Sequence, residues 1–202
     1  WLGELSAAGS SMVTLAPECV PAGFVKRLAG SGIRVAAGHS EATPDAMSRA
    51  IDEGLSGVTH LFNAMPAMSA REPGIVGMAL TDKRLTLGII CDGIHVAPLV
   101  ARAAFSSGNG SNIALVSDAM PTVGTNKDHF DLMGRRIQLR NGRLVSENGT
   151  LAGAHLDMAS AVRNAVTLAG ISLDDALRAA SLVPARFLGI ERHRGTLGAG
   201  AR

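Results

Sequence analysis

Aromatic residues make up only 3% of this 202-residue chain, and its basic residues are scattered, with Arg135-Arg136 and Arg192 to Arg194 the only small clusters. A nucleic-acid surface needs a stripe of Lys/Arg with aromatic stacking platforms, so no nucleic-acid partner is expected. Cysteine is scarce too. Cys19 and Cys91 are too few for a disulfide framework and too far apart for a C-x-x-C metal knuckle, so both are expected as buried free thiols. Long apolar runs are also missing, because Gly, Pro, Asp, Arg or His interrupts each one before the ~18–20 uncharged residues of a membrane helix. No membrane partner is expected. The start, Trp1-Leu2-Gly3-Glu4, has neither an initiator Met nor a basic segment leading into an apolar one, which gives no sign of export. The expectation is a cytoplasmic protein whose true N-terminus is missing.

What is present is 47% hydrophobic content at a net charge of +2, enough to bury a sizeable core in one globular unit. From Met12 to Asp118, short apolar or β-branched runs alternate with helix-like segments, the βα pattern of a parallel sheet. Strands are expected at Met12 to Ala16, Ile33 to Ala37, Gly57 to Phe62, Leu85 to Cys91 and Ile113 to Ser117. Helices are expected at Pro21 to Ala29, from Thr43-Pro44 as N-cap and first position to Glu53, and at Pro98 to Phe105. Asn63 to Gly74 reads as a long polar loop.

The repeat then changes. Asp131 to Ser146 alternates around Asn141-Gly142, a strong hairpin signal, and Leu156 to Leu168 and Leu173 to Leu188 are helical by periodicity, the second with Ser172 as N-cap. Five βα units cannot close an eight-stranded barrel, so the expectation is an open α/β sheet or a piece of a barrel. The end at Gly198-Ala199-Gly200-Ala201-Arg202 reads as a cut. One unit over residues 1–202, with a hairpin insertion at about 130–147, is the expected organisation.

Three of the strand-like runs end in residues suited to metal chemistry: His39, His60 and Asp118. The two histidines are 21 positions apart, one strand-helix-strand step, which would set them on neighbouring strands at the same end. Such a pair can hold Zn²⁺ or Fe²⁺ through one ring nitrogen each, with a carboxylate and water completing the sphere. Asp118 could move a proton between metal-activated water and a leaving group; the plain alternative is an Asx-turn or helix N-cap. Asp92-Gly93-Ile94-His95 forms a second polar cluster, and Arg71 is the only cation in the long loop, suited to a phosphate or carboxylate. Gly149 to Gly153 reads as a glycine-bracketed loop able to present backbone N–H groups. His129 and His193 are expected at the surface, and His155 as a helix cap.

In order along the chain stand Val13-Thr14-Leu15-Ala16-Pro17-Glu18, Gly38-His39-Ser40, Thr59-His60-Leu61-Phe62-Asn63-Ala64-Met65, Arg71-Glu72-Pro73-Gly74, Asp92-Gly93-Ile94-His95-Val96, Ser117-Asp118-Ala119 and Asn148-Gly149-Thr150-Leu151-Ala152-Gly153. Together these closely resemble the N-acetylglucosamine-6-phosphate deacetylase family of the amidohydrolase superfamily. The resemblance implies a distorted (β/α)₈ barrel with a small β-sandwich, this chain supplying about strands four to eight and a remnant of the sandwich. It implies His39 and His60 as ligands of a divalent metal, and Asp118 as general base and then acid. Asn63, Ala64, Arg71, Asp92, Gly93, Ile94, His95, Leu151, Ala152 and Gly153 fall on substrate-binding positions. The implied reaction converts N-acetyl-D-glucosamine 6-phosphate to D-glucosamine 6-phosphate and acetate in a homodimer whose phosphate pocket lies at the subunit interface. The family's glutamate ligand, in a His-Leu-Glu-Gly-Pro motif upstream of Val13, has no counterpart here. Other amidohydrolases of N-acylated sugars or cyclic amides, and a non-catalytic sugar-phosphate-binding module, remain the alternatives.

Overall fold

The computed structural model describes residue 4 and residues 9–199. The readings placed on residues 1–3 and 200–202 lie outside the described residues.

Five parallel strands, β1 (Met12–Leu15), β2 (Arg34–Ala37), β3 (Leu55–Val58), β4 (Thr86–Ile89) and β5 (Ile113–Leu115), form one sheet in sequential order. Helices connect them: α1 (Phe24–Gly30), α2 (Pro44–Asp52), α3 (Gly74–Thr81) and α4 (Pro98–Phe105). Alternation along the strands sorts two faces. Val35, Ala37, Val58, Leu87, Ile89, Ile113 and Leu115 join Leu28, Met47, Ile51 and Ile75 from the helices in one buried core. The other face carries small residues, among them Ala36, Gly57, Gly88 and Ala114, and lines a cavity of about 220 Å³.

A second sheet is antiparallel: β6 (His129–Leu132), β7 (Arg135–Arg140), β8 (Arg143–Ser146) and β9 (Leu151–Ala154) in that order. Helices α5 (Met158–Thr167), α6 (Leu173–Ala180) and α7 (Leu182–Leu188) follow. No described helix is long and apolar enough to cross a membrane.

Local signals explain most of the boundaries. The Thr43 side chain accepts from the Ala46 N–H and Pro44 opens α2, while Ser172 accepts from the Asp175 N–H at the start of α6. Asn141 and Gly142 both lie at left-handed φ (50° and 77°), as a two-residue hairpin turn that matches strand twist requires.

The structure corrects several expectations. The third strand ends at Val58, not Phe62, because His60 and Phe62 adopt φ of 35° and 75°, incompatible with a continuing strand. The first helix starts at Phe24 behind a left-handed Gly23 rather than at Pro21. Gly149 to Gly153 is not a free loop: Leu151–Ala154 pairs with β8. The long helix from Leu173 breaks at Ser181, since Pro184 has no N–H to offer the carbonyl four residues back and instead sits in the first turn of α7. Helix α3 was not foreseen, its Gly74-Ile75-Val76-Gly77 start lacking any polar–apolar contrast. Cys91 is buried, with desolvation foremost pushing its thiol up to about 12. Cys19, expected buried, is exposed.

One buried polar side chain ties the sheet's N-terminal edge together. Asn109 is 0% exposed, and its Nδ2 donates to the carbonyls of Ala79 (3.0 Å), Asp82 (3.0 Å) and Leu85 (2.9 Å). Asn109→Leu leaves these carbonyls short of a donor, so it should lower unfolding free energy by about 1–3 kcal/mol. A urea-denaturation midpoint equal to that of the parent chain would contradict this role.

Candidate functional site

Because β2 and β3 pair in the register Ala37↔Val58, His39 and His60 each stand two residues past paired strand ends. Both lie at positive φ, 49° and 35°, as does Asp118 at 48° beyond β5. Left-handed backbone at non-glycine residues costs about 1–3 kcal/mol each, and here it recurs at three strand ends on one edge of the sheet.

The left-handed turns aim the two imidazoles at each other. His39 Nε2 and His60 Nε2 are 3.0 Å apart, with the rings edge-on at 82°. His60 Nδ1 lies 3.1 Å from the Asn63 carbonyl, which can only accept, so Nδ1 carries the proton and Nε2 the lone pair. That is the ligating tautomer, oriented by a backbone partner as metal-binding histidines are. Burial, the largest influence, pushes the His60 imidazole below its ordinary value, favouring the neutral form; its own backbone and Asp118 pull the other way.

The donor set fits one metal ion in part. Two nitrogens each ~2.0–2.1 Å from a single Zn²⁺ lie roughly 3.0–3.4 Å apart for near-tetrahedral or slightly closed angles, and the observed 3.0 Å meets that. Among the described residues no group of three His, Cys, Asp or Glu side chains surrounds a metal position. The pair supplies two ligands, and the described residues supply no third.

Asp118 shares the 220 Å³ cavity with His60. Its carboxylate is exposed and makes neither the Asx-turn nor the helix cap that was the plain alternative; among the described residues it accepts no hydrogen bond. Its backbone is held instead, the Asp118 carbonyl accepting from the Ala154 N–H at 2.8 Å. This bond brings Ala154 and the preceding Gly153 beside Asp118. A Cβ on Gly153 (φ 70°) would fall 2.5 Å from Met120 Cγ, so this close approach requires glycine.

The other predicted residues divide. Asn63 serves His60 through its carbonyl and turns its own side chain to Leu61 O at 3.2 Å, and the exposed Ala64 accepts from the Ser40 N–H at 3.2 Å. Asp92 and His95 bond to each other, with Gly93 left-handed and Ile94 half-buried between them. Arg71 rides an exposed turn closed by Ser69 and Glu72, and has no ion pair or hydrogen bond among the described residues. His155, read as a helix cap, instead meets Thr122 Oγ1 through Nδ1 at 2.9 Å.

Sequence reasoning missed Glu18. From the turn after β1, its Oε2 accepts from Ser40 Oγ at 2.6 Å and its Oε1 from the Glu41 N–H at 2.7 Å, clamping the residues that follow His39. Burial works to raise its carboxyl, yet the bonds from Ser40 and the backbone prevail and hold it below the ordinary value. The available signal was positional: Glu18 follows strand β1 as His39 follows β2.

A parallel α/β sheet with two converging imidazoles and, at its C-terminal edge, a carboxylate unpaired among the described residues is an arrangement that metal-assisted hydrolysis can use. The amidohydrolase family profile matches residues 16–202, and the chain belongs to that family. It is 41% identical over 180 residues to the N-acetylgalactosamine-6-phosphate deacetylase of Shewanella sp. (strain ANA-3), covering 89% of this chain and 46% of that protein. The crystal structure of N-acetylglucosamine-6-phosphate deacetylase from Pasteurella multocida superposes with a TM-score of 0.90 at 37% identity, over 95% of this chain and 50% of that one. A Mycobacterium smegmatis N-acetyl-D-glucosamine-6-phosphate deacetylase variant, solved with N-acetyl-D-glucosamine-6-phosphate, gives 0.86 at 37% identity over 95% and 51%. The chain thus spans about half the length of the relatives it matches.

Removing the Glu18 clamp should loosen the His39 turn. Glu18→Ala is expected to speed amide exchange at Glu41 and Ala42 and to weaken zinc binding about tenfold, with Glu18→Gln between it and the parent. Unchanged zinc affinity, read by chelator competition, would limit Glu18 to a local structural part. The clamp is fully present above the ordinary carboxylate value and lost as pH falls through the lowered one.

Proposed function

We propose that this chain carries two metal ligands and the proton carrier of an enzyme that hydrolyses the acetamide of N-acetyl-D-glucosamine 6-phosphate to D-glucosamine 6-phosphate and acetate. The observation that carries the reading is the 3.0 Å approach of His39 Nε2 to His60 Nε2 at the edge where Asp118 stands exposed, in a chain whose relatives are named as deacetylases of amino-sugar 6-phosphates. In this reading β1 to β5 are the fourth to eighth strands of a (β/α)₈ barrel. The antiparallel hairpins of residues 129–154 are inserted in it, and a carboxylate ligand comes from chain beyond this sequence. The whole enzyme is a cytoplasmic homodimer acting on a sugar phosphate.

His39 and His60 would hold the ion through Nε2. A divalent ion there, Zn²⁺ or Fe²⁺, supplies Lewis-acid polarisation of the amide carbonyl and lowers the pKa of water toward ~7. Asp118 takes the proton from the water whose oxygen bonds to the carbonyl carbon, and returns it to the sugar nitrogen as the C–N bond breaks. Acetate and the free amine leave, and Asp118 is again a carboxylate. Leu151 to Gly153 line the sugar side, with Asn63 and Ala64 on the His60 side. Arg71 meets the phosphate, where a guanidinium can make two parallel hydrogen bonds. A non-catalytic sugar-phosphate-binding module is a second reading, favoured by the presence of only two candidate ligands among the described residues.

In the full-length enzyme, Asp118→Asn should lower kcat by about 10²–10⁴ while metal content stays unchanged; an undiminished rate would sink the mechanism, and absence of copurifying metal would favour the binding module. Arg71→Ala should raise KM for the phosphorylated sugar at least about tenfold. Because two relatives are named for the galacto sugar, kcat/KM is to be compared for the two C4 epimers. Preference for N-acetyl-D-galactosamine 6-phosphate would replace the substrate while leaving the chemistry intact.

A further inference from the structure

Asp92, expected on a substrate-binding position, has its carboxylate already engaged. Oδ1 accepts from the backbone N–H of Ile94 and of His95, each at 2.8 Å, and Oδ2 lies 2.6 Å from His95 Nδ1. The side chains of His95 and Asp92 are only 7% and 9% exposed. An ionised carboxylate can only accept, so His95 Nδ1 is the donor. His95 Nε2 has no hydrogen-bond partner among the described residues, yet no buried side-chain nitrogen or oxygen there lacks one, so Nε2 is the ring's outward-facing atom. The pair follows β4, on the same sheet edge as His60 after β3. Asn164 of α5 steadies the approach to it by donating to the Cys91 carbonyl at 3.0 Å.

We propose that Asp92 does not touch substrate and is instead a positioning residue: it fixes the proton of His95 on Nδ1, so that the ring offers only the Nε2 lone pair, which accepts from a hydroxyl of the sugar phosphate. The inference rests on the deacetylase reading for the identity of that substrate. The geometry gives it a sharp consequence. In Asp92→Asn the amide oxygen must stay toward the two backbone N–H groups, because the NH₂ group would oppose two donors there. The NH₂ then faces His95 Nδ1, which must become an acceptor, and the ring proton moves to Nε2. The loop keeps its backbone bonds while the exposed nitrogen changes from lone pair to donor.

Two measurements on the full-length enzyme test this. In ¹⁵N spectra of the histidine rings, the His95 nitrogens should exchange their protonated and unprotonated signatures between the parent and Asp92→Asn, with little change in thermal midpoint; unexchanged signatures would overturn the proposal. In a cycle with His95→Asn, Asp92→Asn alone should raise KM about tenfold or more and change kcat much less. On the His95→Asn background it should add less than about twofold. A penalty of equal size in both backgrounds means that Asp92 contacts substrate directly, which also overturns it. If the parent enzyme hydrolyses neither N-acetylamino-sugar phosphate, the functional reading fails on its own, and the ring spectra still decide what Asp92 does to His95.

Discussion

The arrangement of this edge depends on holding two imidazole nitrogens 3.0 Å apart. Without an ion between them the contact is a single N–H···N bond with His39 as donor, since His60 Nδ1 is already committed to the Asn63 carbonyl. To hold an ion, His39 would carry its proton on Nδ1, so that both Nε2 atoms could offer lone pairs. Neither state survives a change of register, because a one-residue slip of β2 on β3 would send the two side chains to opposite faces. The pairing Ala37↔Val58, the buried core behind it and the left-handed turns at both histidines therefore act as one device. The core outweighs the strain, and the strain aims the rings.

Loops from successive strands reinforce that device laterally. Glu18 after β1 grips Ser40 and Glu41 after β2. Ser40 in turn donates its N–H to Ala64 after β3, and the Leu61 N–H goes to the Gly88 carbonyl of β4 at 2.7 Å. Each strand end is thus fixed by its neighbour, so the edge is rigid where chemistry needs distances held within fractions of an ångström. Two glycines beneath it are closely covered: a Cβ at Gly57 would meet Phe187 of α7 at 2.8 Å, and one at Gly38 would meet Thr14 Cγ2 at 2.8 Å.

Much of this was legible in the sequence, for identifiable reasons. The interval between His39 and His60 is a strand-helix-strand step, and Thr43-Pro44, Ser172 and Asn141-Gly142 act through bonds and dihedrals within a few residues of themselves. What failed depended on distant partners. Helix α3 is set by burial of Ile75, Val76 and Ala79, which its uniform apolarity does not reveal. Strand β9 exists because β8 lies beside it, while its own Leu-Ala-Gly-Ala reads as a loop. Glu18 matters through a hydrogen bond 22 residues away, and no local pattern announces such a bond. Asp92 and His95 were recognisable as a polar cluster, but their mutual bond, which decides what each can offer a ligand, was not.

The second sheet, which from its alternating pattern looks like a detachable hairpin, is joined to the chemistry at one point. Ala154, the last residue of β9, donates its N–H to the Asp118 carbonyl and accepts from the Met120 N–H, a parallel bridge that closes the turn on which Asp118 stands. Ala154 is itself 1% exposed and packs with Ile90, Leu156 and Ala161 in a small core separate from the main one. Asp118 therefore takes its position from a strand of the other sheet. Because the same bridge ties Asp118 to Ala154, movement of the antiparallel sheet would carry Asp118 and the end of β9 together. The two imidazoles, fixed by the parallel sheet, would stay in place.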